Sequence, residues 1–126
     1  MWTYEQKTGK LSHNGEVVAT GYAGGNCGKN PEGKNSPEHQ SVPKVGPVPQ
    51  GKYKFGTPVA QSHLGPFAIP LIPDPTNEMF GRSDFYMHGD TISNPGCASE
   101  GCIIVPRNIR NAVASSPDQE LEVVAE

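Results

Sequence analysis

The chain has 126 residues and a formal net charge of −3, which suits one domain spanning residues 1–126 with a modest hydrophobic core. No long basic stripe is present, which argues against nucleic acid as the main partner, and no apolar run is long enough to span a membrane. With 15 Gly, 13 Pro and only 34% hydrophobic residues, the composition favours a small β domain whose short strands are joined by many turns.

The amino-terminal part of the chain predicts short strands. Residues 1–22 are expected to form two or three of them, because Asn14-Gly15 is a strong signal for a type I′ hairpin turn and Glu16–Thr20 fits the return strand. Residues 51–56 alternate apolar and charged side chains, which predicts another strand. Its inward-facing residues are Tyr53 and Phe55, and its outward-facing residues are Lys52 and Lys54.

Two stretches without periodicity are predicted to be irregular. Residues 21–49 are rich in Gly, Pro, Asn and Lys, and a loop of this length in a compact domain is usually functional or disordered; we expect a functional loop. The valines expected to pack this loop over the sheet are Val42, Val45 and Val48. The second irregular stretch is expected to run through Pro66, Pro70, Pro73 and Pro75.

The segment of residues 84–89 predicts the next strand. Period-two geometry puts Phe85 and Met87 on one face, toward the core. Tyr86 and His88 then point to the opposite face, where His88 would look into a groove.

The end of the chain predicts one helix and a closing strand. The helix is expected over residues 106–115, because proline suits its first turn and Ile109 and Val113 lie four apart. Arg107 and Arg110 are expected to face water from it. The closing strand is expected over residues 121–124.

Three cysteines, Cys27, Cys97 and Cys102, form an odd set, so at least one thiol stays outside any intramolecular disulfide. Cys97 could be a structural thiol or could pair with Cys27 in an oxidising compartment, and both alternatives stay open at this point.

Cys102 and His88 are the residues that suggest catalysis. A thiol becomes a useful nucleophile near neutral pH when a base or cation favours its ionisation, and His88 lies 14 residues before Cys102. Gly101 lets the backbone bend tightly, and amides around Gly101 and Cys102 could stabilise an oxyanion. The two residue types alone also fit a buried cysteine beside a surface histidine.

The neighbouring residues give the pair a recognisable setting, in Met87-His88-Gly89 and Ser99-Glu100-Gly101-Cys102-Ile103. These segments resemble the active-site signature of the L,D-transpeptidases (the YkuD-like family). Residues 28–53 are similar to the Tlde1 branch, whose members are antibacterial effectors of the type VI secretion system. The motifs that carry this second likeness are Asn35-Ser36-Pro37, Gln40-Ser41-Val42-Pro43 and Gly46-Pro47-Val48-Pro49-Gln50-Gly51.

This resemblance implies a YkuD-like antiparallel β-sandwich with long loops and one short helix after Cys102. It implies a cysteine L,D-carboxypeptidase or L,D-transpeptidase that cleaves the meso-diaminopimelate–D-Ala bond of peptidoglycan tetrapeptide stems, with no metal or organic cofactor. The start of the sequence shows no signal-peptide pattern. We therefore expect secretion into the periplasm of a target bacterium, with secretion-system components and a cognate immunity protein as partners.

Four further residues are candidates for substrate binding. Ser99 could steady the loop or bind substrate, and Tyr86 could line the groove or fill the edge of the core. Asp90 could orient His88 or be an ordinary turn residue. Two positions depart from the family pattern: Glu100 replaces a histidine, and Ile104 replaces an arginine. Arg107 is the nearest cation that could bind the stem carboxylate instead, through its bidentate guanidinium.

Two other classes of function compete with the enzyme. One is a metal-binding or structural module in which Cys97, Cys102 and His88 ligate zinc, although a Cys-x4-Cys spacing is not typical of such sites. The other is a non-catalytic cell-wall-binding domain, for which neither Cys102 nor His88 would be needed.

Overall fold

The computed structural model describes residues 1–61, 64–91 and 96–126, which contain nine strands and one α-helix. The strands are β1 (Trp2–Glu5), β2 (Lys10–His13), β3 (Glu16–Thr20), β4 (Gly51–Phe55), β5 (Val59–Gln61), β6 (Gly65–Pro73), β7 (Tyr86–His88), β8 (Ile103–Ile104) and β9 (Glu120–Val124). The helix is α1 (Arg107–Ser115), and short 3₁₀ turns cover Pro31–Gly33 and Pro37–His39. The predicted mainly β class with one helix after Cys102 is confirmed. No helix among these described residues is both long and apolar enough to cross a bilayer.

The strands are joined in the order β3-β2-β1-β9-β4-β6-β7-β8, with β5 paired to β6. The pairs β1–β9 and β7–β8 are parallel, whereas the remaining described pairs are antiparallel. The sheet is therefore mixed, whereas the resemblance implied an antiparallel one. The closing strand β9 lies between β1 and β4, parallel to β1 and antiparallel to β4, with Leu121 and Val123 buried.

The amino-terminal hairpin forms as predicted. His13 pairs with Glu16 across a two-residue loop, and both loop residues have positive φ, +50° at Asn14 and +88° at Gly15. A type I′ turn requires positive φ at both positions, which Asn and Gly tolerate best. The return strand β3 has the predicted bounds.

Strand β4 also follows its alternation. Tyr53 and Phe55 are buried in the core, while Lys52 and Lys54 are exposed. The Tyr53 hydroxyl donates a hydrogen bond to the Pro49 carbonyl at 2.7 Å, so its buried polar atom is satisfied.

The prediction of an irregular stretch through the prolines is wrong over most of its length, because β6 occupies residues 65–73. Proline lacks the N–H that a central strand normally needs. Here β6 pairs with β5, then with β7 and finally with β4 along its length. Each neighbouring strand pairs with only part of β6, so not every residue of β6 has to donate a main-chain hydrogen bond. The Pro70 carbonyl still accepts the Gly56 N–H at 2.8 Å.

Three local expectations need correction. Of the valines expected to hold the long loop, Val48 is fully buried, Val45 is half-buried and Val42 is exposed. The strand predicted over residues 84–89 is shorter, since β7 has only three residues. The predicted exposure of Arg110 is wrong. Helix α1 packs on β6, and the buried guanidinium of Arg110 donates to two carbonyls there, those of Pro66 and Phe67.

Candidate active site

Parallel pairing of β7 and β8 brings the predicted nucleophile and base together. Met87 pairs with Ile103 and His88 pairs with Ile104, and the Tyr86 N–H points at the Cys102 sulfur at 3.3 Å. Cys102 therefore lies beside Tyr86, two positions from His88 on the neighbouring strand. Because side chains alternate along strands, Cys102 and His88 lie on the same face.

Both side chains line one cleft of about 470 Å³. Its charged lining residues are Lys44, Arg82, Asp84 and Glu100. A second cleft of about 650 Å³ shares Leu64, His88, Ala98 and Glu100 with the first. His88 thus lies at the border between the two clefts, although its side chain is largely buried.

The hydrogen bonding of His88 defines which nitrogen can act as a base. Its Nδ1 lies 3.0 Å from the Gly89 carbonyl oxygen, which can only accept, so Nδ1 carries the proton in the neutral ring. Nε2 is buried and has no hydrogen-bond partner among the described residues. Burial lowers the pKa of His88 from its ordinary value, and the nearby charge of Arg110 acts in the same direction. The Gly89 bond and the charge of Asp90 oppose this shift without reversing it.

Cys102 has a half-buried thiol outside any disulfide. Burial raises its pKa to about 11, and the charge of Glu100 adds to this, while the Tyr86 N–H and the charge of Arg82 lower it. The raised thiol pKa and the lowered imidazole pKa both favour the uncharged groups. The resting pair is therefore a neutral thiol and a neutral imidazole.

The loop before Cys102 is held by the Ser99 hydroxyl. Ser99 is buried, and its Oγ donates to the Cys102 carbonyl at 2.6 Å and accepts the N–H groups of Gly24 and Gly101 at 2.8 and 3.0 Å. One donor and two acceptor sites are all that a hydroxyl has. The Gly101 N–H already donates to Ser99, so it is not free to stabilise an oxyanion. Of the two amides named from the sequence, that of Cys102 remains the candidate.

Gly101 itself has no space for a side chain. Its φ is +141°, and a Cβ there would lie 2.6 Å from Nη2 of Arg82 and 2.8 Å from the Phe85 ring. Both the backbone conformation and the close packing therefore require glycine at the residue that precedes the nucleophile.

Comparison with known protein families identifies the domain that contains this site. Residues 21–125 match the Tlde1 domain. This chain belongs to the Tlde1 domain family. That family consists of type VI secretion effector domains. No curated protein and no solved structure matches the chain.

The matched part of this Tlde1 domain contains Cys102, His88 and every residue lining the two clefts. Strands β1 to β3 precede the match, yet β1 pairs with β9 along its whole length. The amino-terminal strands therefore extend the sheet beyond the matched residues, next to β9.

The other residues proposed from the sequence have distinct positions in the Tlde1 domain. Asp90 lines the second cleft, and its carboxylate accepts from the Tyr22 hydroxyl at 2.6 Å and from the N–H groups of Thr91 and Gly96 rather than from His88. Burial alone would raise the pKa of Asp90, but these hydrogen bonds outweigh it and lower the pKa. Arg107 is exposed, stacks over the Phe67 ring at 4.6 Å, and is absent from the described lining of both clefts.

Cys27 and Cys97 form a disulfide, which joins the Gly-rich segment to the loop that leads to Cys102. Two hydrogen bonds support the same junction, from the Asn26 N–H to the Ser99 carbonyl and from the Ala98 N–H to the Tyr22 hydroxyl. Because Cys97 is in a disulfide, it cannot act as a thiolate ligand in the zinc site of Cys97, Cys102 and His88 that was considered from the sequence. The described part of the chain holds no cluster of three His, Cys, Asp or Glu residues suited to a metal.

Arg82 is a component of the site that the sequence did not predict. It lies in the connection before β7, is buried, and lines the first cleft beside Cys102. Its partners are main-chain carbonyls, which leave no pattern in a sequence. Two weak signals were available: its proximity to the His88 strand and the lack of an arginine at position 104.

The disulfide is expected to contribute strongly to stability, because it closes a loop with a sequence separation of 70 residues. A chain-entropy argument for such a loop gives roughly 4 kcal/mol. The double substitution Cys27→Ser with Cys97→Ser should therefore lower the free energy of unfolding by about 2–5 kcal/mol in urea denaturation. Cys102→Ser is the matched control and should change it by less than about 1 kcal/mol. A double variant as stable as the oxidised wild type would contradict this role.

Proposed function

We propose that this Tlde1 domain is a cysteine enzyme that acts on peptidoglycan tetrapeptide stems, as an L,D-carboxypeptidase or an L,D-transpeptidase that exchanges D-amino acids. The proposal rests chiefly on one observation: a free thiol, Cys102, and a histidine with an unpartnered buried Nε2, His88, face the same cleft from neighbouring strands. Thiol and imidazole in one cleft are the residue types that nucleophilic acyl transfer requires.

The first half of the reaction forms a thioester. Nε2 of His88 accepts the proton of the Cys102 thiol, and the sulfur attacks the carbonyl carbon between meso-diaminopimelate and D-Ala. The bond between this carbon and the D-Ala nitrogen breaks. D-Ala leaves as an amine after receiving the proton from His88, and the stem remains attached to Cys102. The Cys102 amide is the candidate donor to the oxyanion formed on the way.

The second half releases the stem. Water, or the amine of a free D-amino acid or of another stem, gives a proton to His88 and attacks the thioester carbon. The carbon–sulfur bond breaks, and the sulfur regains a proton. Attack by water gives a tripeptide, whereas attack by an amine gives exchange or a cross-link.

Ser99 and Gly101 serve this chemistry by holding the loop of the nucleophile. The Gly89 carbonyl keeps the proton on Nδ1 of His88, so Asp90 is not needed for this purpose. The Asp90 carboxylate instead accepts the Gly96 N–H beside the second cleft. The Tyr86 N–H, which lies against the Cys102 sulfur, favours the thiolate once it forms.

Membership of the family supports a proposal for the place of action. A type VI secretion effector that modifies peptidoglycan acts in the periplasm of a neighbouring bacterium, where the substrate is found. The producing cell then requires an immunity protein, and secretion-system components are the other expected partners. An oxidising periplasm is also the compartment in which the disulfide persists.

Incubation with purified disaccharide-tetrapeptide, with and without D-Met, tests the function. Mass spectrometry should detect loss of D-Ala, or its replacement by D-Met, with the wild type only. Cys102→Ala and His88→Gln should each lower turnover by at least about 100-fold, because they remove the nucleophile and the base. His39→Gln, at a histidine outside both clefts, is the control. An unchanged tetrapeptide, with a free thiol verified, would instead favour a non-catalytic cell-wall-binding domain.

The pH dependence of kcat/KM should have its acid limb below pH 6.5. His88 must be uncharged to accept the proton, and its pKa lies below the ordinary value. Activity should therefore rise as the pH increases through that lowered pKa and be fully developed at neutral pH. A midpoint above pH 7 would contradict the assignment of His88 as the base.

Lys44 is the candidate for binding the stem carboxylate, because it lines the cleft that holds Cys102. Lys44→Gln should raise KM by about three- to tenfold with little effect on kcat, as expected for loss of one charge-assisted contact at a partly solvated site. Arg107→Gln is the matched comparison, since Arg107 was the candidate from the sequence. A raised KM for the Arg107 variant alone would return the role to Arg107.

A further inference from the structure

Most hydrogen-bond donors of the Arg82 guanidinium bind main-chain carbonyls around the proposed nucleophile. Nη1 donates to the carbonyls of Gln40 and Pro47 at 2.7 and 2.9 Å. Nη2 donates to the carbonyls of Gly46 and Glu100, both at 3.0 Å. All four N–H groups on the two terminal nitrogens therefore have acceptors.

These four carbonyls belong to two segments that are far apart in the chain. Residues 40–47 form a wall of the first cleft, to which they contribute Pro43 and Lys44. Glu100 lies in the loop that ends at Cys102. A main-chain hydrogen bond of 2.9 Å, from the Val48 N–H to the Gly101 carbonyl, connects the same two parts of the chain. Arg82 thus fastens the cleft wall to the loop of the nucleophile.

The positive charge of Arg82 is not paired with a carboxylate. No Asp or Glu in the described residues lies within ion-pair distance of it, and carbonyl dipoles and the Phe85 ring, 5.0 Å away, surround it instead. A buried charge that only dipoles compensate keeps much of its field. The Cys102 thiol lines the same cleft as Arg82, and the charge of Arg82 already lowers the pKa of this thiol.

We propose that Arg82 is a positioning residue for Cys102, which fixes the cleft wall against the nucleophile loop and supplies the fixed positive charge that favours the thiolate. The kinetic part of this role rests on the function proposed above. The effect on the thiol does not, because it can be measured without any substrate.

Alkylation of Cys102 by iodoacetamide tests the electrostatic part. With Cys27 and Cys97 oxidised, Cys102 is the one free thiol of the three cysteines, so the rate against pH reports its ionisation. In Arg82→Gln the alkylation profile should move to higher pH, with a rate near pH 8 about tenfold lower, which corresponds to one pKa unit. Arg107→Gln should leave the profile unchanged. A folded Arg82→Gln protein with the wild-type profile would overturn the proposal.

Arg82→Lys separates the two parts of the role and remains informative if Arg82→Gln does not fold. Lysine keeps the charge, so alkylation should stay within about threefold of the wild type. Its single ammonium has three donors and cannot reach four carbonyls, so KM for the tetrapeptide should rise about tenfold. A folded Arg82→Lys enzyme with wild-type KM and kcat would overturn the positioning role.

Failure of the two proposals can be told apart. If the wild type leaves the tetrapeptide unchanged while Arg82→Gln still shifts the alkylation profile, the substrate assignment fails and the effect of Arg82 on Cys102 stands. If the tetrapeptide is processed and neither Arg82 variant changes alkylation or KM, the proposed function stands and the role of Arg82 fails.

Discussion

The site depends on the parallel pairing of two very short strands, β7 and β8. This register puts Cys102 next to Tyr86 and on the same face as His88, and a shift by one residue would move Cys102 to the opposite face of the sheet. Two paired residues per strand give little stabilisation. The surrounding contacts therefore maintain the register: the Ser99 hydroxyl, the disulfide of Cys97 and the guanidinium of Arg82 all act on the residues just before Cys102.

Burial has opposite effects on the two reacting groups. It raises the pKa of the Cys102 thiol and lowers the pKa of the His88 imidazole, so both are uncharged at rest. Such a pair differs from a preformed thiolate–imidazolium pair, because in the proposed reaction proton transfer has to accompany attack on the carbonyl. An uncharged thiol is also less exposed to oxidation and to disulfide exchange, which suits a protein that carries a structural disulfide nearby.

The sequence predicted the features that local patterns encode. Asn14-Gly15 marked the first hairpin, alternation marked β4, and the motifs around His88 and Cys102 marked the two residues that now share a cleft. Features that depend on tertiary contacts were missed. Strand β6 was hidden because its prolines break the usual pattern, and only its change of partners along the sheet makes them acceptable. The burial and the contacts of Arg82 and Arg110 could not be predicted, because their acceptors are main-chain carbonyls that leave no pattern in the sequence. The pairing of Cys27 with Cys97 required knowledge of how two loops meet.

The most direct test of the central claim is to trap the acyl-enzyme. The oxidised protein should be mixed with disaccharide-tetrapeptide, quenched in acid within seconds and analysed by intact-protein and peptide mass spectrometry. We expect an adduct equal to the substrate minus D-Ala, attached to Cys102 and absent from Cys102→Ala. Release of D-Ala without any adduct on Cys102, or with an adduct on another residue, would contradict it.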